Sequence, residues 1–171
     1  LQQLLDAIPK AVCERFGFDR AVLYLLDGEM LYAVRATFGP TPEQQAQAAE
    51  FLAAANAQPI SLNGQSIEAD ILRSGQAVII DDSQLHEHLR LNKQTIIDSH
   101  SYVQVPIFGH EEKVIGLLFA DYYLSQRRTS PRDATQLLTF ANMVGLTIEN
   151  TRLYNDMEQA VAQRTEELRI A

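Results

Sequence analysis

One uninterrupted helical segment at the C-terminal end constrains the fold of this chain more than any other feature. Ser130 stands at a helix N-cap position, Pro131 at the first helical position, and Asp133 three residues after the cap. From Pro131 to Ala171 there is no further proline and one glycine, Gly145. A helix of about 40 residues would be about 60 Å long at 1.5 Å per residue. A domain of this size cannot cover that length, so we expect the end of the helix to project.

The apolar pattern changes along this helix, which indicates two packing environments. The first half carries a broad stripe suited to docking on a sheet. This stripe consists of Leu137, Leu138, Ala141, Val144 and Ile148. The second half has residues that step by three and four positions, the heptad spacing of a two-stranded coiled coil. This helical seam consists of Tyr154, Met157, Val161, Arg164, Leu168 and Ala171, and the same register run backwards passes Asn150, Thr147, Met143 and Phe140.

The helical seam predicts a parallel homodimer through the terminal helices. Residues 1–153 are then expected to form one domain, and residues 154–171 the start of a coiled-coil linker. Arg164 and Asn150 are poor seam residues, so a frayed polar tail is the alternative.

Helical and strand-like segments alternate in the remainder of the chain. The predicted helices cover 1–16, 43–57 and 66–74, and the predicted strands cover 18–26, 31–38, 77–80, 101–108 and 114–123. Gly17 and Gly75 are expected to end helices, and Pro9 is a candidate kink. Asp27-Gly28 predicts a hairpin with a type I′ turn. The strand from residue 114 is apolar on both faces, which is typical of a central strand.

Charge and cysteine usage exclude several classes of function. The net charge of −8 argues against nucleic-acid binding. Arg127, Arg128 and Arg132 form one small basic spot, which we interpret as a solvated loop. Cys13 is the only cysteine, so an internal disulfide, a zinc finger and CxxC redox chemistry are excluded, and a cytoplasmic location is expected.

The sequence predicts no membrane contact by this segment, because no apolar run reaches about 20 residues and no signal peptide is visible. The chain opens inside an apolar helical pattern and ends without a helix stop. We therefore expect both ends to be cuts within a longer protein.

Several strings of residues together resemble the GAF domain family. In the C-terminal half they are Ser-Tyr-Val-Gln-Val-Pro-Ile (101–107), Val-Ile-Gly-Leu-Leu-Phe-Ala-Asp (114–121), Pro-Arg-Asp (131–133) and Ile-Glu-Asn-Thr-Arg-Leu-Tyr (148–154). In the N-terminal half they are Leu-Tyr-Leu-Leu-Asp (23–27), Phe-Gly (38–39) and Ile-Leu-Arg-Ser-Gly-Gln-Ala-Val-Ile-Ile-Asp-Asp (71–82). The resemblance covers residues 1 to about 154 in the family's order and spacing.

The resemblance implies an α+β fold, with a central antiparallel sheet of five or six strands, helices on both faces and a long C-terminal helix. One helical layer pairs between subunits, and the other encloses a small-molecule pocket. The last helix leads to an output domain. The tail over 163–169 resembles the linker before a histidine kinase core, although similar tails precede diguanylate cyclases.

The function implied is that of a small-molecule-sensing or regulatory domain of a two-component sensor histidine kinase, not an enzyme in its own right. The alternative is a ligand-free structural dimerisation module in a diguanylate cyclase or another signalling protein. A third reading, a stand-alone enzyme on the same fold, has no supporting catalytic motif in the sequence.

Sub-families of GAF domains differ at residues that can be compared with this chain. Bilin-binding members attach their chromophore through a cysteine in or near the sensory domain, and here Cys13 lies in the first helix. The member that reduces free methionine sulfoxide uses several cysteines. Asn92-Lys93 and Phe119 match part of the cyclic-nucleotide signature, but Tyr123-Leu124 replaces its Asp-Glu pair. We therefore expect no covalently bound cofactor and no cyclic nucleotide.

Strand alternation suggests which residues line the pocket. Tyr102 and Gln104 share one face of their strand, and Phe119 and Asp121 share a face of the next. Polar groups among apolar ones are typical of a small-molecule site. From the polar stretch over 81–100, a long loop or irregular helix, Asp81 and His86 are further candidates. The alternative is a filled core with Asp121 at its solvent edge.

The remaining candidates for chemistry have simpler interpretations. His86, His88 and His100 could bind metal or haem, but we interpret them as solvated histidines because they lack a recognisable ligand spacing. Asp81-Asp82 fits a turn after a strand. No nucleophile elbow, phosphate loop or zinc-protease motif is present, so no catalytic residue is predicted.

Overall fold

A computed structural model describes residues 1–81 and 99–171 of the chain. The helices are α1 (Gln2–Phe16), α2 (Pro42–Ala57), α3 (Ile67–Ser74) and α4 (Pro131–Ile170). The strands are β1 (Arg20–Asp27), β2 (Met30–Thr37), β3 (Ile60–Ser61), β4 (Val78–Ile80), β5 (Tyr102–Phe108) and β6 (Val114–Asp121). They form an antiparallel sheet in the order β3-β2-β1-β6-β5-β4, with helices on both faces. The predicted α+β architecture is confirmed.

Local signals in the sequence set the ends of the helices. Gly17 and Gly75 adopt left-handed φ angles of 77° and 67° and close α1 and α3. The Ser130 side chain accepts from the Asp133 amide, and Asp133 accepts from the Ser130 amide, so α4 begins with a capping box. Pro9 is accommodated inside α1 without ending it.

The β1–β2 turn differs from the predicted type. Asp27 pairs with Met30, so the two loop residues are Gly28 and Glu29. Gly28 has φ 63°, and Glu29 is not among the residues with positive φ. A type I′ turn needs positive φ at both loop positions, whereas one positive φ at the first position is the pattern of a type II′ turn.

The sheet separates two apolar cores. One core lies between the sheet and α1 with α4, and the other lies between the sheet and α2 with α3. β6 contributes to both, because Leu118 is buried in the first core while Leu117 and Phe119 are buried in the second. This is the central strand, covered on both faces, that its apolar sequence predicts.

α4 belongs to the domain for about half of its length. Leu137, Ala141 and Ile148 are fully buried against the sheet. Gly145 lies so close to β5 that a Cβ placed there would be 1.9 Å from the Phe108 carbonyl oxygen. From Leu153 onward the helix is largely exposed and projects from the sheet. Within residues 1–81 and 99–171, no helix combines the length and apolarity needed to cross a membrane.

The β2 edge of the sheet is covered only in part by another strand. β3 pairs with Met30 and Leu31 and extends no further. Beyond it, the Asn56 side chain of α2 accepts from the Ala33 amide at 3.1 Å and donates to the Ala33 carbonyl at 2.8 Å. One side-chain amide thus takes the place of a neighbouring strand at this position.

Candidate functional site

Four of the residues predicted to line a pocket lie together on the sheet face under α2 and α3. Tyr102 pairs with Asp121, and Gln104 pairs with Phe119, across the β5–β6 ladder. All four are at most 1% exposed. The Tyr102 and Phe119 rings contact each other with centroids 5.1 Å apart. This part of the face is packed by side chains of the chain itself.

Asp121 is engaged by an arginine that the sequence did not connect to it. The Arg20 guanidinium donates to both carboxylate oxygens of Asp121, at 2.6 to 3.2 Å. The same guanidinium lies over the rings of Phe38 and Tyr123, at 5.2 and 3.9 Å from their centroids. The Tyr123 amide also donates to Asp121. Asp121 is therefore buried rather than at a solvent edge, and it ties β1 to the end of β6.

The structure describes only one of the two pocket candidates predicted from the polar stretch over 81–100. Asp81 follows β4 and lines a separate cavity beside Ser99 and Tyr122. His86 lies outside the described residues, as do Asp82, His88, Asn92 and Lys93. The pocket set as a whole stays a prediction.

Two polar residues that sequence reasoning missed, Tyr24 on β1 and Glu68 on α3, lie at the same face beside the predicted Gln104 on β5. These three residues, each at most 2% exposed, form a buried polar cluster. Gln104 Nε2 donates to Glu68 Oε1 at 3.1 Å. Tyr24 Oη, Glu68 Oε2 and Gln104 Oε1 have no hydrogen-bond partner in the described part of the chain. Buried polar atoms are nearly always bonded, so three orphans in one cluster need a chemical explanation.

The electrostatics of the cluster favour neutral groups. Burial raises the pKa of the Glu68 carboxyl, and the hydrogen bond from Gln104 only partly opposes this. Burial, and then the nearby Glu68 charge, raise the pKa values of Tyr24 and Tyr102. The cluster offers hydroxyl, amide and carboxyl oxygens in a buried site, which suits binding of a polar, uncharged group.

Other reactive groups are not arranged for chemistry. Burial, followed by the charges of Asp121, Asp19 and Glu14, raises the pKa of the Cys13 thiol to about 12, so the thiolate form is disfavoured. Among residues 1–81 and 99–171, no group of three or more His, Cys, Asp or Glu side chains is placed to hold a metal ion.

The sequence of the chain matches one known protein family. The family model described as GAF domain matches residues 1–148. This chain belongs to the GAF domain family. The match ends inside α4, five residues before the predicted boundary at residue 153, and that boundary stays a prediction. No curated protein sequence matches this GAF domain.

Solved structures similar to this GAF domain come from several kinds of protein. A methyl-accepting chemotaxis protein segment (residues 122 to 287) is 18% identical with a TM-score of 0.68, covering 89% of this chain and 90% of that one. The GAF-B domain of DevS from Mycobacterium smegmatis is 12% identical, with a TM-score of 0.64 and coverage of 91% and 98%. Free methionine-R-sulfoxide reductase from Neisseria meningitidis is 21% identical, with a TM-score of 0.61 and coverage of 88% and 78%. At these identities the likenesses show the fold.

Proposed function

We propose that this GAF domain is the ligand-sensing domain of a signal-transduction protein and is regulatory rather than catalytic. The observation that carries the proposal is the buried polar cluster with its three unpartnered atoms. A small molecule that supplied the missing hydrogen bonds would remove the penalty of about 1–3 kcal/mol that each buried orphan group carries. We expect an uncharged ligand that carries adjacent hydrogen-bond donors and acceptors, because all three cluster residues are buried and burial of an ion is costly.

The signal leaves the domain through α4. Its first half is part of the core beside the sheet, whereas Tyr154, Met157 and Val161 of the helical seam are more than 60% exposed. A second copy paired in parallel along the helical seam would cover these side chains. One rigid helix would then contact both the sensory core and the partner subunit, so a small displacement at the sheet would change the pairing.

The parent protein is a cytoplasmic sensor histidine kinase in this proposal. The tail over 163–169 favours it through its resemblance to linkers before kinase cores. The structural likeness to domains of a chemotaxis protein and of DevS favours a signalling context.

A specific observation favours the alternative of a ligand-free dimerisation module. Tyr102 and Phe119 fill part of the face under α2 and α3, and Asp121 is bonded to Arg20. In that case the unpartnered atoms of the buried polar cluster are satisfied by water, and the domain transmits strain from a neighbouring domain through α4.

Native mass spectrometry of gently purified protein separates the two functions. A sensor is expected to retain a small molecule, and Glu68→Ala is expected to lose it, whereas Glu166→Ala on the exposed part of α4 should keep it. A thermal-shift screen of uncharged metabolites on the same proteins covers weak ligands that are lost on purification. The dimerisation module is the function if two results come together. The wild type then retains no small molecule, and no compound raises its melting temperature more than that of Glu68→Ala.

A further inference from the structure

A cavity of about 210 Å³ lies where β6 leads into α4. Its described lining comes from Asp81 after β4, from Ser99 to Ser101 before β5, and, after β6, from Tyr122, Tyr123 and Gln126 to Arg128. We call it the junction cavity. No member of the buried polar cluster lines it, so it is distinct from the site of the proposed function.

Two guanidinium groups give the junction cavity a positive character. Arg127 and Arg128 both line it, and neither has a carboxylate partner in the described part of the chain. With Asp81 as the carboxylate in the described lining, two positive charges against one negative leave a net charge of +1. This stands out in a chain whose net charge is −8. A concave wall around like charges focuses their field and favours a counter-ion.

Both arginines are exposed, and one of them contacts an aromatic ring. The Arg127 guanidinium lies 4.4 Å from the centroid of the Tyr122 ring. That ring stacks on Phe18, with centroids 4.7 Å apart and an interplanar angle of 21°. An arginine already positioned on an aromatic ring loses less conformational freedom when it binds an oxyanion.

The same tyrosine connects the junction cavity to α4. Tyr122 Oη donates to Asp133 Oδ1 at 2.8 Å, and the bond is buried. The other oxygen, Asp133 Oδ2, accepts from the Ser130 amide at 2.8 Å and so closes the capping box of α4. A group bound against Arg127 would therefore act, through one ring and one carboxylate, on the first turn of the long helix.

We propose that the junction cavity binds a small oxyanion, a carboxylate or a phosphate monoester, between Arg127 and Arg128, and that binding alters the start of α4. Planar guanidinium groups bind carboxylate and phosphate oxygens through paired, charge-assisted hydrogen bonds. Ser99 to Ser101 and Gln126 add polar atoms around the ion. This gives the domain a second input that is independent of the buried polar cluster.

Titration of ¹⁵N-labelled protein, followed by amide chemical shifts at constant ionic strength, tests the proposal. Inorganic phosphate and malonate, each up to about 20 mM, are the two probes and distinguish a phosphate from a carboxylate preference. We expect saturable shifts at residues 99–101 and 122–133 with at least one probe. Arg128→Gln removes a charge that has no carboxylate partner among the described residues, and it should weaken binding on the order of tenfold. Arg127→Lys keeps the charge but not the planar group and should also weaken binding.

Arg132→Gln is the matched control, because Arg132 is exposed on the first turn of α4 and does not line the junction cavity. It should bind each probe as the wild type does. Absence of saturable shifts, or an equal loss in Arg132→Gln and Arg128→Gln, would overturn the proposal. Glu68→Gln should bind the probes normally, and a loss there would place the anion in the other site. Failure of the retained-ligand experiment would leave this binding unaffected.

Discussion

Burial of the Glu68 side chain favours the neutral form of its carboxyl group. It lies on the buried face of α3 with Tyr24, Tyr102 and Gln104 around it, and Asp70, two residues further along the chain, adds a like charge. Its folded-state pKa is raised above the ordinary value of 4.5, with burial as the largest cause. The folded protein therefore holds this proton more tightly than the unfolded chain does.

The first prediction concerns the pH dependence that Glu68 imparts. Its stabilising contribution is complete below pH 4.5 and is lost as the pH rises through the raised folded-state pKa. Glu68→Gln cannot ionise and keeps an acceptor for Gln104, so its melting temperature should rise relative to the wild type across this window. Calorimetry between about pH 4 and pH 8 measures the difference. Glu50→Gln, exposed on α2, is the control. The prediction is contradicted if, at every pH, the change in melting temperature caused by Glu68→Gln is no larger than the change caused by Glu50→Gln.

The second prediction compares a buried with an exposed ion pair. Asp121→Asn removes the fully buried negative charge that the Arg20 guanidinium contacts, so we expect a loss of about 3 kcal/mol in unfolding free energy. Asp6→Asn breaks the Arg35 pair, in which the Asp6 side chain is 56% exposed, and should cost less than about 1 kcal/mol. Urea unfolding measures both. Equal losses would mean that Arg20 finds another partner.

At the scale of elements, the contact between α4 and β5 depends on one missing side chain. Gly145→Ala adds a methyl group that would meet the Phe108 carbonyl at 1.9 Å. Helix propensity favours alanine by about 1 kcal/mol, but overpacking against backbone costs about 1–3 kcal/mol or more. We expect a lower urea midpoint, while Gln159→Ala on the exposed part of α4 should leave it unchanged or raise it. A higher urea midpoint for Gly145→Ala would show that α4 can move away from β5 without loss of unfolding free energy.

The sequence predicts elements whose signals are local and misses what depends on distant partners. Gly17, Gly75 and the Ser130 cap mark helix ends because backbone geometry there is set within a few residues. Strand alternation groups Tyr102 with Gln104, and Phe119 with Asp121, for the same reason. By contrast, Glu68 reads as an ordinary acidic residue in the first turn of a helix, and only tertiary packing brings it to Gln104. The two-residue β3 is too short to leave a pattern, and Arg20 reaches Asp121 across 101 positions.

For the whole molecule, the helical seam predicts a concentration-dependent dimer. Met157 and Val161 are both more than 60% exposed, and pairing would bury them. Sedimentation equilibrium should show a dimer at micromolar concentrations, and Val161→Asp and Met157→Asp should each shift it towards monomer. Gln159→Asp, on the outer side of the same turns, is the matched control and should leave the dimer intact. A wild type that stays monomeric at high concentration, or a dimer unaffected by both seam substitutions, would place the interface elsewhere.

The side chain of Asn56 has a consequence for the behaviour of the protein in a crowded cell. An open strand edge is a template on which other chains can add by backbone pairing, and this is a common route to aggregation. Beyond β3, the Ala33 amide and carbonyl would belong to such a template, but Asn56 occupies both. The bulge between Leu23 and Tyr24 in the adjoining ladder further interrupts the regular spacing of this edge. A strand of another molecule therefore meets no continuous row of free backbone amide and carbonyl groups on β2. This protects the sheet against the addition of strands at that edge.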